Sequence, residues 1–243
     1  MPLKMPNITV YRGPGRPGSY TWSAFVTKLE TRLRFAHIKY DTQTGSLSES
    51  PKGKIPYIRI ESESETGLPP IMSDSTLIIQ NLVGAGLAQD LNAELTPAKK
   101  AIDLAIRALL EDKIYYMTVG SATVSDKVFQ LTMQQGYERW IENFYVMRDV
   151  GPLSGIPYPV RILVGYLAHS KLVRTLHGQG TGRYSKEELT SLRREAWSSL
   201  DDLAAEASRS SGKGPKWILG GEKPTEADAC LHGFVASTLS SPA

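Results

Sequence analysis

Two short stretches, Lys54-Ile55-Pro56-Tyr57-Ile58 and Asp74-Ser75, carry the groups that a small peptide-like ligand would need. Proline has no amide donor, and the bond before it can be cis. An Ile-Pro step at the mouth of a strand can therefore leave the Ile55 N–H and C=O facing outward, where a ligand backbone can pair with them along the sheet edge. Asp74 and Ser75 stand just before an apolar helical run. A carboxylate, a hydroxyl and the unpaired N–H groups of a helix amino end converge there, a set suited to a group bearing both an ammonium and a carboxylate. A third cluster, Ser19, Tyr20, Trp22 and Ser23, opens another helical pattern. A hydroxyl at a positive helix end that donates to sulfur favours thiolate over thiol, and two units of thiol pKa need only about 2.7 kcal/mol at about 1.36 per unit. Ser23 taken alone has a simpler reading as an N-cap, because serine is among the residues preferred there.

These groups have to be held by ordered elements. From residue 7 the pattern gives a strand at Ile8-Thr9-Val10-Tyr11, a Gly/Pro loop, and a helix over about 20–35. Strands follow at 38–41, 57–60 and 71–72, and then a helix, the order βαβ followed by ββα. Phe25, Leu29, Leu33 and Ala36 form the stripe by which the first helix packs on a sheet. Beyond about residue 90 only helices are indicated. Thr96-Pro97 caps a long one through Ala101, Ala105, Leu109 and Tyr116. Others are marked by Phe129, Met133, Trp140, Phe144 and Met147, by Leu163, Leu167 and Leu172, and by Leu189, Leu192, Ala196, Leu200 and Leu203. The expected organisation is an α/β domain over 1–90 and an all-helical domain over 91–243. Segments 61–65, 178–182 and 208–214 read as loops, and Thr225-Glu226-Ala227-Asp228 as a helix cap. The chain ends at Ser241-Pro242-Ala243 with no packing stop, the pattern of a protein with further terminal helices.

Composition excludes several functions. The formal charge of +3 is spread without runs of Lys or Arg, so neither a nucleic-acid groove nor a membrane-binding face is expected. No stretch has the length and apolarity of a membrane span, and residues 1–6 lack the apolar core of a signal peptide; a soluble, cytoplasmic protein is expected. The single cysteine, Cys230, forbids an intramolecular disulfide, and its apolar helical setting reads as inert core. No metal site is expected. Gly13-Pro14-Gly15-Arg16-Pro17-Gly18, with Asp41 beyond it, matches the dinucleotide fingerprint in form. Prolines at 14 and 17 remove donors that a pyrophosphate needs, and no further βαβ units follow, so a loop held close to a ligand is the better account.

The strand, the loop, the Ser23-Ala24-Phe25-Val26-Thr27-Lys28 helix start, the Lys-Ile-Pro-Tyr-Ile step, Asp-Ser before a helix and the helical C-terminal region resemble the cytosolic glutathione transferases. Leu29-Glu30-Thr31-Arg32-Leu33, Ser50-Pro51-Lys52-Gly53-Lys54-Ile55-Pro56, Ser73-Asp74-Ser75 and Leu219-Gly220-Gly221-Glu222-Lys223-Pro224-Thr225-Glu226-Ala227-Asp228 are similar to the fungal branch related to the failed-axon-connections and metaxin proteins. The chain also resembles transferases of fungal-endophyte origin, found in grasses, that act on trichothecene toxins. The resemblance implies a thioredoxin-like domain with glutathione as co-substrate, and a helical domain carrying a hydrophobic electrophile such as an epoxide. It implies that Ser23, with Tyr20 as the rival, faces the glutathione sulfur. Ile55 would pair with the cysteinyl unit, Pro56 would be cis, Lys54 would meet the glycyl carboxylate, and Asp74 with Ser75 would hold the γ-glutamyl group. Tyr115, Tyr116 and Met117 would offer surface to the electrophile, in a cleft between the domains. A homodimer is the family's usual state. The relation to metaxin leaves a second implication, a scaffold or tether without turnover.

Overall fold

The computed structural model describes residues 5–13, 18–61, 67–117, 144–149, 153, 156–210 and 214–240. Of the segments singled out in the sequence, Pro14 to Pro17, most of the acidic loop after Glu61, Phe129, Met133 and Trp140, and the terminal 241–243 lie outside these residues. The strands are β1 (Ile8–Arg12), β2 (Asp41–Thr44), β3 (Tyr57–Ile60) and β4 (Ile71–Ser73). The helices are α1 (Ala24–Phe35), α2 (Ser75–Gly84), α3 (Pro97–Ala108), α4 (Phe144–Asp149), α5 (Tyr158–Gln179), α6 (Lys186–Ser210) and α7 (Glu226–Leu239). Packing divides the chain into two units, 1–107 with 206–242, and 108–205.

In the first unit the strand order is β2-β1-β3-β4, with β1 parallel to β2 and antiparallel to β3, and β3 antiparallel to β4. A parallel neighbour demands a crossover, and α1 supplies it. Ile8 and Val10 of β1, Ile58 and Ile60 of β3 and Met72 of β4 meet Leu29 and Leu33 of α1 and Ile78, Ile79 and Leu82 of α2 in one buried cluster. This is the thioredoxin-like βαβ-ββα arrangement read from the sequence.

The second strand begins at Asp41 and not at Ile38. The reason lies in how α1 stops. The His37 N–H donates to the Arg34 carbonyl and the Ile38 N–H to the Leu33 carbonyl, a Schellman closure with His37 left-handed at φ 55. Ile38 drops into the core beside Leu33 and is spent on the cap. The first helix likewise starts later than expected, at Ala24, because Ser23 is extended at φ −93 and caps it, its Oγ accepting from the Val26 N–H.

Against α1 lies α7, so closely that a Cβ at Gly233 would sit 2.6 Å from the Ala24 carbonyl oxygen and 2.8 Å from the Lys28 nitrogen. The expected cap of α7 forms as a capping box. Asp228 accepts from Thr225 N–H and Oγ1–H, each at 2.8 Å, and from Ile218 N–H at 2.7 Å. Asp103 of α3, fully buried, accepts from the Ala227 N–H at 2.7 Å and from Arg107 Nε at 2.8 Å. Buried Arg32 of α1 donates to Glu226 Oε1 at 2.7 Å and to the Gln89 carbonyl. Thr96 caps α3 through the Lys99 N–H. Cys230 is buried, as its apolar setting implies.

In the second unit, Leu109–Ile114 form a π-helical segment and Tyr115–Met117 a further turn. Leu110, Ile114, Leu176, Leu189, Ala196 and Leu200 are buried. On α5, Leu163 and Leu167 are exposed. The glycine-rich stretch after α5 is shorter than a loop reading suggests. Gly180, at φ 101, ends the helix and a 3-10 turn over Thr181–Arg183 follows at once.

Candidate functional site

The ladder between β1 and β3 ends at the Tyr11–Tyr57 pair, so Ile55 lies just outside it, and the Ile55-Pro56 bond is cis. Ser50 fixes the approach, its Oγ donating to the Lys54 carbonyl at 2.6 Å and accepting from the Lys54 N–H at 3.2 Å. The Lys54 side chain is exposed. Two glycines let neighbouring loops close on this step. A Cβ at Gly13 would lie 3.1 Å from Ile55 Cδ1, and one at Gly45 would lie 3.1 Å from Tyr57 Cε1 and 3.2 Å from Ile55 Cγ2. Beneath them Tyr57 stacks on Tyr11 at 4.4 Å, and its hydroxyl donates to Glu49 Oε2 and accepts from the Ser46 N–H. Burial pushes the Tyr57 hydroxyl pKa up.

The second motif is tied to the first by one bond, from the Asp74 N–H to the Pro56 carbonyl at 3.3 Å. Asp74 caps α2, Oδ1 accepting from the Thr76 N–H at 3.1 Å and the Leu77 N–H at 3.2 Å. Its φ of 79 is left-handed, a region that costs a non-glycine residue on the order of 1–3 kcal/mol. Such strain persists only where surrounding structure enforces it. Ser75 is buried at the first position of α2, and Lys28 of α1 donates to Thr76 Oγ1 at 2.8 Å.

The segment entering α1 is held at several points. Buried Arg12 donates to the Ser19 carbonyl and faces Glu30 at 3.4 Å. Thr21 Oγ1 donates to the Ser23 carbonyl and accepts from the Ser23 N–H. Ser23 is half-buried, whereas Tyr20 is exposed with its hydroxyl 3.4 Å from His232 Nε2. Burial outweighs the Arg12 and Arg34 guanidiniums and holds the Glu30 carboxyl above its ordinary pKa.

Of the residues singled out in the sequence, the fold joins Ile55-Pro56 directly to Asp74-Ser75 and sets Gly13, from the loop that leads toward Ser23, against Ile55. Tyr115 and Tyr116 belong to the other unit, where their rings meet edge-on at 5.0 Å. Thr21, Gly45 and His232 carry parts of the arrangement that no local pattern marked; Ser50 was visible only as a member of its motif. The dinucleotide reading fails on topology, since the sheet continues from the parallel β1–β2 pair through the antiparallel strands β3 and β4. Among the described residues no group of three His, Cys, Asp or Glu could hold a metal ion, and no helix is long and apolar enough to cross a membrane.

Residues 24–127 match the family model of the glutathione S-transferase N-terminal domain. The match spans 104 of the chain's 243 residues. Among solved structures it is similar to glutathione transferase GSTFuA2 from Phanerochaete chrysosporium, at 16% identity over 96% of this chain and 86% of that one, with a TM-score of 0.51. Glutathione transferase GSTFuA3 of the same organism matches at 16% identity over 98% of this chain and 86% of that one, with a TM-score of 0.50. At that identity the likeness is one of fold. The thioredoxin-like sheet followed by a helical region is the glutathione transferase architecture.

Proposed function

We propose that this chain is a glutathione transferase that joins glutathione thiolate to a hydrophobic electrophile. The observation that carries the reading is the Asp74 N–H bond to the Pro56 carbonyl, which ties the Ile55-Pro56 step ahead of β3 to the α2 amino end. The left-handed backbone of Asp74 supports it, because strain of that kind gathers at ligand sites. The Ile55 N–H and C=O pair with the cysteinyl unit, and the exposed Lys54 ammonium takes the glycyl carboxylate. Both capping bonds of Asp74 go to Oδ1, which leaves Oδ2 for the γ-glutamyl ammonium. Ser75 and the first N–H groups of α2 take the γ-glutamyl carboxylate.

Ser23 accepts the Val26 N–H through its oxygen, so its own proton is available to the sulfur. Cap and thiolate donor are then one residue in two roles, with the dipole of α1 adding to the stabilisation. For an epoxide, sulfur attacks a ring carbon, the C–S bond forms as the C–O bond breaks, and a hydroxyl or water protonates the alkoxide. Tyr115 and Tyr116 supply apolar faces and hydroxyls for such a substrate, and a trichothecene-type toxin is the class the sequence resemblance favours. Glutathione-affinity chromatography followed by a thiol-consumption assay with an epoxide tests the reading. Retention, elution by free glutathione and turnover are expected. Passage through the column without retention refutes it, and retention without turnover would mark a glutathione-binding tether instead.

A further inference from the structure

The Tyr20 side chain leaves the segment that enters α1 and lies against α7. Its ring meets His232 edge-on at 5.6 Å, and its hydroxyl stands 3.4 Å from Nε2. The opposite ring nitrogen, Nδ1, is 2.9 Å from Thr31 Oγ1. Thr31 is eight residues beyond Ser23, which at about 1.5 Å per residue is about 12 Å down the helix. The imidazole is therefore engaged at both nitrogens, and the backbone that carries it is fixed, since the next residue, Gly233, abuts α1 directly. Burial, with Arg34 adding to it, lowers the imidazole pKa, so at neutral pH the ring is uncharged and offers one donor and one acceptor.

Building on the transferase reading above, we infer that His232 is a positioning residue. By engaging the Tyr20 hydroxyl on α7, it holds the segment 18–23 in the conformation in which Ser23, and not Tyr20, donates to the glutathione thiolate. Tyr20 and Ser23 then divide the work between them. The tyrosine anchors the entry to α1 and the serine meets the sulfur.

The test uses the full chain with glutathione, following the bound thiol by ultraviolet titration and its affinity by calorimetry. Ser23→Ala raises the bound-thiol pKa by about one unit or more, whereas Tyr20→Phe leaves it at the wild-type value. Tyr20→Phe and His232→Phe each weaken glutathione binding about threefold, the scale of one neutral hydrogen bond, and the double variant is no weaker than either. His232→Gln, whose amide reaches the Nε2 position, restores most of the affinity. A merely structural histidine would give additive losses and no rescue. A bound-thiol pKa that rises as far in Tyr20→Phe as in Ser23→Ala overturns the inference, as do additive losses. Absence of any glutathione binding by wild type removes the transferase reading and the inference together. Should the His232 variants fail to fold by circular dichroism, thiol titration of Tyr20→Phe, a change at an exposed ring, decides alone.

Discussion

Replacing Gly233 with alanine puts a carbon 2.6 Å from the Ala24 carbonyl oxygen, 2.8 Å from the Lys28 nitrogen and 3.0 Å from Lys28 Cα. All three are backbone atoms of α1, so no rotamer change relieves the overlap. Restoring ordinary contact requires α1 and α7 to part by somewhat under about 1 Å at that point. Overpacking of this kind costs up to about 3 kcal/mol, offset by about 1 kcal/mol of helix propensity gained over glycine, for a net loss of about 2 kcal/mol. Ala24 follows Ser23 directly, and misplacement of a reacting group by about 1 Å can lower a rate about a hundredfold. Gly233→Ala is thus expected to lose about 2 kcal/mol in urea unfolding at unchanged slope, and at least tenfold in kcat/KM for glutathione conjugation by the scale above. Gly178→Ala is the control, since beyond the backbone of its own helix the new carbon meets nothing within 4 Å, and a gain of up to about 1 kcal/mol is expected there. A Gly233→Ala protein as stable as wild type would refute the reasoning that the two backbones interlock.

Three further changes probe separate parts of the molecule. His37→Gly should stabilise by about 1 kcal/mol and raise Tm by about 2–4 °C, because the left-handed site that His37 occupies at φ 55 is filled by glycine in the same closure of α2, at Gly86; scanning calorimetry showing no rise would count against it. Asp74→Asn should leave Tm close to wild type, since asparagine caps and tolerates this backbone equally well, yet weaken glutathione about tenfold or more through the lost carboxylate. Equal affinity in calorimetry would remove Asp74 from the site. The raised pKa of Glu30 means that the native state holds this proton more tightly than the unfolded chain does. Its stabilising contribution is full below the unfolded pKa and is lost as pH rises through the folded value. As pH rises above the ordinary glutamate range, wild type should therefore lose stability relative to Glu30→Gln, and a difference in melting behaviour that stays flat or runs the other way contradicts this.

The first unit was legible where local chemistry and pattern agreed. Ile8 with Val10 and Ile58 with Ile60 give strands, Pro56 opens β3, Thr96-Pro97 opens α3, and the Asp228 cap of α7 is written out in Thr225-Glu226-Ala227-Asp228. The start of β2 was misread because Ile38 is β-branched and apolar, as a strand residue would be, and because the helix stop before it carries His37 in place of the usual glycine. Ser23 was legible as a helix cap, and Asp74 as a helix start. What stayed hidden depends on residues far apart in the chain. The bond from Asp74 to Pro56, the pairing of Thr31 and Tyr20 with His232, and the Ala227 N–H on Asp103 have no local signature, and a histidine inside Cys230-Leu231-His232-Gly233-Phe234 looks like any core position. The assignment of 206–242 to the first unit is likewise a product of tertiary packing.

That assignment bears on how the protein is made. The outer side of α1, including the Ala24 and Lys28 backbone that α7 covers, is synthesised well ahead of its cover, with 190 residues lying between the two helices. During translation the sheet therefore waits with one helix flank open until α7 has emerged. Agents that guard nascent chains would find their target there, and a stop codon anywhere before α7 would yield a product whose amino-terminal half is unfinished as well.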